Sequence, residues 1–140
     1  MDVRDEVVDI LSGFSLFADL STPQLQSLVD RFNEETFQDG DRVLRQGMTG
    51  SSFYIILDGS ANIRVDGVDR AALRAGDYFG EISCLLGVPP TADIVAKGTM
   101  RCLVLPAQEL EVFLTSNPHV MYRMLQGEAR KVRTTTRWLN

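Results

Sequence analysis

The chain has 140 residues, a net charge of −5, a hydrophobic content of 44% and a charged content of 24%. This size and balance predict one soluble globular domain and exclude a disordered or disulfide-stapled chain. The acidic total argues against nucleic-acid binding by this domain, and no apolar run approaches the ~20 residues that insertion across a membrane requires.

Two amphipathic helices are predicted at the start of the chain. Apolar residues recur at helical spacing in two runs, the first of which ends near Gly13. Thr22 is a suitable N-cap for the second helix, and Pro23 suits its first helical position. The helices are expected over residues 3–12 and 23–33.

The middle of the chain reads as short strands. The helical period gives way to alternation near residue 36, and glycine-containing turns follow at short intervals. Asp58-Gly59 and Gly98-Thr99 are interpreted as turns between antiparallel strands, because Asp-Gly favours positive φ. About eight short strands predict a rolled antiparallel eight-stranded barrel, jelly-roll-like, over about residues 36–106. The fold class is therefore mainly β with flanking helices.

Two further helices are predicted over about residues 107–135, the second beginning at Asn117-Pro118. Met124 and Leu125 are expected to dock this last helix on the barrel. With the helical pair of about residues 3–33, these elements make a single domain over residues 1–140. The absence of a capping glycine after the last helix fits a piece of a longer protein, and a genuine C-terminus is the alternative. The last helix also carries a run of basic residues, which ordinarily form a solvated face: Arg123, Arg130, Lys131, Arg133 and Arg137.

The segment GDYFGEISCLLGVPPTADIV, residues 76–95, interrupts the strands with a short helix that starts after Gly80-Glu81. The first backbone N–H groups of a helix have no partner within it, so this turn is a suitable place for an anion. Gly80 is expected to keep that approach open, because a side chain there would block it.

The segment contains Phe79, Gly80, Glu81, Ile82, Leu85, Gly87, Pro89, Thr91 and Ala92 in order. These residues resemble the phosphate-binding cassette of the cyclic nucleotide-binding domain family. Glycine-punctuated strands between Gly40 and Val65 are similar to the same family, and the resemblance covers about residues 10–135. It implies a regulatory sensor of cAMP or cGMP in signal transduction, which relays ligand occupancy through its C-terminal helix. It also implies the ligand-binding residues Phe79, Gly80, Glu81, Ile82, Ser83, Pro90, Thr91 and Ala92, with Arg130 and Arg133 as lid residues.

Within this resemblance, Glu81 is expected to accept a hydrogen bond from the ribose 2′-hydroxyl. Its alternative role is to favour the helix N-terminus through the helix dipole, worth ~0.3–1 kcal/mol. Ser83 would contribute its backbone N–H to the phosphate.

The chain departs from the family at two positions. Pro90 stands where the family usually has an arginine that grips the cyclic phosphate, and losing such a contact costs about 2–5 kcal/mol. Asp93 stands where threonine or serine is common, and strand alternation places it on the ligand side with Thr91. A substitute cation could come from Arg45, Arg64, Arg70 or Arg74. The alternative function is a degenerate cassette without cyclic nucleotide binding, which acts as a structural, protein-interaction or dimerisation domain.

No motif predicts an enzyme, a metal site or a cofactor. His119 is the only histidine and has no partner motif. Cys84 and Cys102 lie far apart with apolar neighbours, so we expect buried free thiols in a cytoplasmic protein. The expected partners are a cyclic nucleotide and either a covalently linked effector domain or a second copy, with the choice between cAMP and cGMP left open.

Overall fold

The structure is a computed structural model that describes the backbone of residues 3–139 and the side chains of residues 3–135. Its first elements are α1 (Val3–Ser12), a 3₁₀ turn (Ser15–Phe17) and α2 (Thr22–Val29). Helix α2 is therefore shorter than predicted. Its N-cap is Ser21 rather than Thr22, because Ser21 and Gln24 exchange side-chain and backbone hydrogen bonds in a capping box. Thr22 has Leu25 three residues later and could not form that box.

Six strands form one antiparallel sheet: β1 (Asn33–Phe37), β2 (Arg42–Leu44), β3 (Ser52–Val65), β4 (Val68–Arg74), β5 (Tyr78–Phe79) and β6 (Asp93–Pro106). The order is β1-β6-β3-β4, with β2 beside β6 and β5 beside β3. The fold class, mainly antiparallel strands flanked by helices, is as predicted. The eight-stranded barrel is not confirmed, since the sheet is not closed and has six strands.

The difference arises at the two glycine pairs that were interpreted as turns. Asp58-Gly59 and Gly98-Thr99 lie inside the 14-residue strands β3 and β6, which pair with each other along their length with register shifts at this point. Gly59 has a φ of +91°, and a Cβ there would lie 2.9 Å from the Cα of Met100 and collide with the Thr99 carbonyl. Positive φ thus serves a β-bulge here rather than a hairpin.

The sheet separates two apolar cores. Residues Phe53, Ile55 and Leu57 of β3 face the core shared with α1, α2 and the C-terminal helices, whereas Tyr54 and Ile56 face the opposite core. Because neighbouring residues of a strand point to opposite faces, alternate side chains of β3 pack into the two cores. The second core borders the segment between β5 and β6.

The C-terminal part comprises a 3₁₀ turn (Ala107–Glu109), α4 (Leu110–Ser116) and α5 (Pro118–Leu139). Val120 and Met124 of α5 are buried, as expected for a docked helix. The prediction for Leu125 is wrong, since its side chain is 62% exposed. Leu125 follows Met124 by one residue, so helical geometry turns it about 100° away from the core. Among residues 3–139, no helix has the length and apolar character to cross a membrane.

Candidate functional site

The cassette segment, residues 79–92, is positioned by its two ends. Strand β5 pairs with β3, and Gly80 then adopts a φ of 85° at the N-cap of α3 (Glu81–Leu86). Gly87, with a φ of 67°, ends α3, and its N–H donates to the Ser83 carbonyl at 2.9 Å. The segment is thus a single short helical excursion between two strands of the sheet.

All eight predicted ligand-binding residues line one cavity of about 250 Å³, which we call the cassette cavity. Leu44, Ile63, Leu73 and Ile94 form an apolar wall of this cavity. Tyr78, Pro89 and Lys131 complete its lining. The eight positions are close in space because β5, α3 and the start of β6 converge on this point. Their role in binding a ligand stays a prediction.

Gly80 has a different structural requirement from the one expected. A Cβ at this position would collide with the backbone carbonyl of Ser52, and the φ of +85° disfavours any side chain. Glycine is therefore needed for packing against β3, whether or not a ligand approaches. A substitution at Gly80 would therefore disturb the local fold as well as the approach to the start of α3.

Asp93 does not line the cassette cavity, which corrects the prediction from strand alternation. Its carboxylate accepts the Gln46 N–H at 2.6 Å and lies 3.9 Å from the Arg42 guanidinium. Alternation fails here because Thr91 precedes the first residue of β6 and is not part of the strand. Pro90, in contrast, is buried and lines the cavity, and its carbonyl accepts the Gly47 N–H at 2.9 Å.

The charged centre of the cassette cavity is an ion pair between α3 and α5. Glu81 is only 4% exposed, and its Oε1 lies 2.9 Å from Nζ of Lys131. Burial raises the pKa of Glu81 despite the opposing effect of Lys131. Burial alone would lower the pKa of Lys131, but the carboxylates of Glu81 and Glu128 outweigh it and raise that pKa. Burial thus disfavours the charged form of Glu81, whereas the contact with Lys131 favours it.

Tyr78 fixes α5 beside this ion pair. Its hydroxyl lies 3.2 Å from the Met124 carbonyl, to which it donates, and 3.3 Å from Oε1 of Glu128. The ammonium of Lys131 lies 5.0 Å from the centre of the Tyr78 ring, within cation–π range. Burial is the largest cause that raises the pKa of Tyr78, so the phenol stays protonated. A Cβ on Gly127 would lie 2.6 Å from the Tyr78 hydroxyl oxygen.

The basic residue that reaches the cassette cavity is not one of the two predicted lid residues. Arg130 lines an adjacent cavity of about 250 Å³ between Tyr78 and α5, and Arg133 is exposed and lines neither cavity. Lys131 lines both. The missed signal was Gly127, because a glycine inside a helical pattern often marks a close packing contact. Arg137, in the same basic run, lies outside the described side chains.

A larger groove of about 590 Å³ lies on the other side of α3, between the β2–β3 loop and the turn after β6. It is lined by small polar, proline and thiol side chains without a carboxylate or a basic group. The cassette cavity is the better candidate, because it contains the buried Glu81 and its ion pair with Lys131.

The thiol of Cys102 is buried and that of Cys84 is half-buried. Burial raises the pKa of Cys84 to about 11 and that of Cys102 to about 12, so both remain protonated and poorly nucleophilic. His119 is exposed on α5. Within residues 3–139, no group of three or more His, Cys, Asp or Glu side chains could hold a metal ion.

Comparisons with known proteins give a consistent result. The sequence model of the cyclic nucleotide-binding domain family matches residues 34–117. The chain is similar to the catabolite activator protein of Thermus thermophilus at 25% identity and a TM-score of 0.80, covering 89% of this chain and 61% of that one. It also matches the cAMP-bound regulatory domain of Toxoplasma gondii protein kinase A in fold, at 23% identity, a TM-score of 0.75 and 91% and 50% coverage.

A third similar structure is a triple mutant of the regulatory subunit of a cAMP-independent protein kinase A from Trypanosoma brucei, bound to cAMP. It is 26% identical, with a TM-score of 0.74 and coverage of 95% of this chain and 51% of that chain. One of its three substitutions replaces threonine by arginine. The chain thus spans about half the length of both kinase regulatory structures.

Proposed function

Because this chain belongs to the cyclic nucleotide-binding domain family, we propose that it is a regulatory sensor that takes up cAMP or cGMP in the cassette cavity. Occupancy of the cavity is relayed by α5 to an effector domain or a second copy. The observation that supports this most is the composition of the cavity. All eight cassette residues line it together with Lys131 of α5, so ligand and helix meet at one place.

Each part of the ligand has a candidate partner. Glu81 is buried and offers an anionic acceptor to the ribose hydroxyls, and hydrogen bonds to a charged group contribute about 1.5–3 kcal/mol. The apolar wall of Leu44, Ile63 and Leu73 suits the base. The backbone at the start of α3 would face the phosphate, as in the family. We assign the domain no catalytic role and propose a cytoplasmic location.

One feature of the cassette cavity sets the affinity that we expect for a cyclic nucleotide. No arginine lines the cassette cavity among the described side chains, and Pro90 stands where the resemblance implies an arginine. The trypanosomal relative is cAMP-independent, and its cAMP-bound form carries an introduced arginine. We therefore expect the affinity of this chain for a cyclic nucleotide to be modest.

Calorimetric titration of the chain with cAMP and with cGMP tests the proposal. We expect a saturable heat with one site per chain for at least one of the two nucleotides. Ala92→Leu, which fills part of the cassette cavity, should weaken that binding about tenfold or more, because overpacking a formed site costs 1–3 kcal/mol or so.

Ala18→Leu is the matched control, since Ala18 is exposed and remote from the cassette cavity. It should bind as the wild type does. Absence of heat for both nucleotides at millimolar concentration would refute the proposal in favour of the interaction domain.

A further inference from the structure

Lys131 occupies part of the space that a ligand of the cassette cavity would need. Its ammonium lines the cavity and contacts Glu81, although it comes from α5 and not from the cassette. The remaining volume of about 250 Å³ is below the 300–1,000 Å³ or so of typical small-molecule sites. A nucleotide therefore fits better once the Lys131 side chain has moved.

The Glu81 carboxylate that would accept a ligand hydroxyl already accepts from Lys131 through Oε1. Its carboxylate is 4% exposed, so a ligand hydroxyl reaches it only from the cavity, on the side that Lys131 lines. The donor at 2.9 Å from Oε1 is the Lys131 ammonium. A buried carboxylate that loses its counter-ion without a replacement donor is strongly destabilised. Departure of Lys131 and arrival of a ligand donor are therefore coupled.

Lys131 is well placed to leave. Its side chain is 54% exposed, and all side chains from residue 129 to residue 135 are exposed. Glu128, one turn earlier on the same helix, lies 3.2 Å from the ammonium and can keep it paired outside the cavity. The distal part of α5 thus gives up the Glu81 contact without leaving a buried unpaired cation.

We propose that Lys131 is an internal competitor for Glu81, so that this structure is the self-occupied state and ligand binding frees the distal part of α5. The proposal rests on the proposed function, because the competing ligand is the cyclic nucleotide of that site. It gives the relay a direction, in which the ligand detaches the helix instead of drawing it over the cavity. The affinity of the wild type is then reduced by the fraction of time that Lys131 occupies the cavity.

The chain offers a matched pair of variants, because it contains two lysines, Lys97 and Lys131. Lys131→Met keeps an apolar stem and removes the charge, whereas Lys97→Met makes the same change at an exposed residue outside the cavity. We expect Lys131→Met to bind cAMP or cGMP about fivefold or more tightly than the wild type, which corresponds to occupancy by Lys131 for roughly four fifths of the time or longer. Lys97→Met should match the wild type.

Hydrogen exchange of the wild type gives a second readout. With saturating cyclic nucleotide, amides of residues 129–135 should exchange faster than in the free chain. Slower exchange there would overturn the proposal, since it would mean that the ligand draws the helix in.

The outcomes of the titration separate this proposal from the function on which it rests. If the wild type binds and Lys131→Met binds equally or more weakly, the competitor role is overturned while the sensor function stands. If neither protein binds at millimolar ligand, both are overturned. If Lys131→Met alone binds, the competitor role is supported, whereas the sensor function of the wild type is overturned.

Discussion

Pro90 is the residue that we expect to limit the affinity of the cassette cavity for a cyclic nucleotide most. It is buried and lines the cavity, and its one hydrogen-bonding group, the carbonyl, is used by the Gly47 N–H. An arginine side chain at this position would start from the cavity wall, while its backbone could keep the contact with Gly47. Position 90 therefore lies on the cavity wall with a backbone suited to a cationic side chain, and the residue there carries no cation.

Pro90→Arg should tighten cyclic nucleotide binding by about 2 kcal/mol, roughly thirtyfold, because it adds charge-assisted hydrogen bonds to the phosphate. Calorimetry on the variant and the wild type measures the gain. Asp93→Thr should add nothing to it, since Asp93 binds Gln46 and lies outside the cavity lining.

Val88→Arg is the control for Pro90→Arg, because it adds the same charge at an exposed residue outside the cassette cavity. An equal gain in both variants would show that net charge, and not a contact at Pro90, improves binding.

The residues of the cassette cavity were predictable to the extent that they are local in sequence. Phe79 to Ala92 form one motif, and its spacing alone brings the positions together. Lys131 was not predictable in this way, because its contact with Glu81 joins residues 50 positions apart and depends on the rotation of α5. The predicted orientation of Asp93 was wrong for a related reason. Its orientation depends both on where β6 starts and on the loop that contains Gln46.

At the level of single elements, α5 is docked by one narrow stripe. Met124 is 3% exposed, whereas the neighbouring Leu125 is 62% exposed. Met124→Ala should lower the free energy of unfolding by about 2–5 kcal/mol, the usual range for truncating a large buried side chain. Leu125→Ala should change it by less than about 0.5 kcal/mol.

Urea unfolding of both variants checks this contrast. A small loss for Met124→Ala would show that α5 is detached in solution, and equal losses would show that the helix is rotated relative to the structure.

The contact between Gly127 and Tyr78 provides a second test of how α5 is seated. In an exposed helix interior, Gly→Ala gains about 1 kcal/mol. In the wild type the new methyl would lie 2.6 Å from the Tyr78 hydroxyl oxygen, so Gly127→Ala should instead destabilise by ~1 kcal/mol. In a Tyr78→Phe background, the next nearest ring carbon lies 3.7 Å away, and Gly127→Ala should stabilise.

A double-mutant cycle on unfolding free energies measures the coupling, expected to be about 2 kcal/mol. Equal stabilisation in both backgrounds would mean that the hydroxyl does not rest on Gly127.

For the whole molecule, the buried Glu81 makes stability depend on pH. Burial raises its pKa in the folded chain above that of an ordinary glutamate, so the folded state binds this proton more tightly than the unfolded state. The contribution of Glu81 to stability is present at low pH and is lost as pH rises through the folded-state pKa. Glu81→Gln should therefore gain stability relative to the wild type as pH rises from about 4 to 7.

Urea unfolding at several pH values tests this trend, with Glu111→Gln, an exposed acid of α4, as a control that should follow the wild type. A difference between Glu81→Gln and the wild type that shrinks with rising pH would contradict it.

The general fold was predictable because alternation, turn glycines and helix caps are local signals. The number of strands was not, since Gly59 has the positive φ of a hairpin turn while its neighbours continue along one strand. The close contact of Thr99 of β6 with Gly59 distinguishes a bulge within one strand from a hairpin turn. A local sequence pattern does not contain this contact.

The pairing of β6 with β1, β2 and β3 has a consequence for synthesis on the ribosome. Asn33 pairs with Val104, so part of the sheet joins residues that are 71 positions apart in the sequence (104 − 33). Until residue 106 has emerged, β3 exposes a strand edge and apolar residues that β6 later covers, and such intermediates are prone to aggregation. We expect stalled nascent chains to resist a protease only once residues 93–106 are outside the exit tunnel.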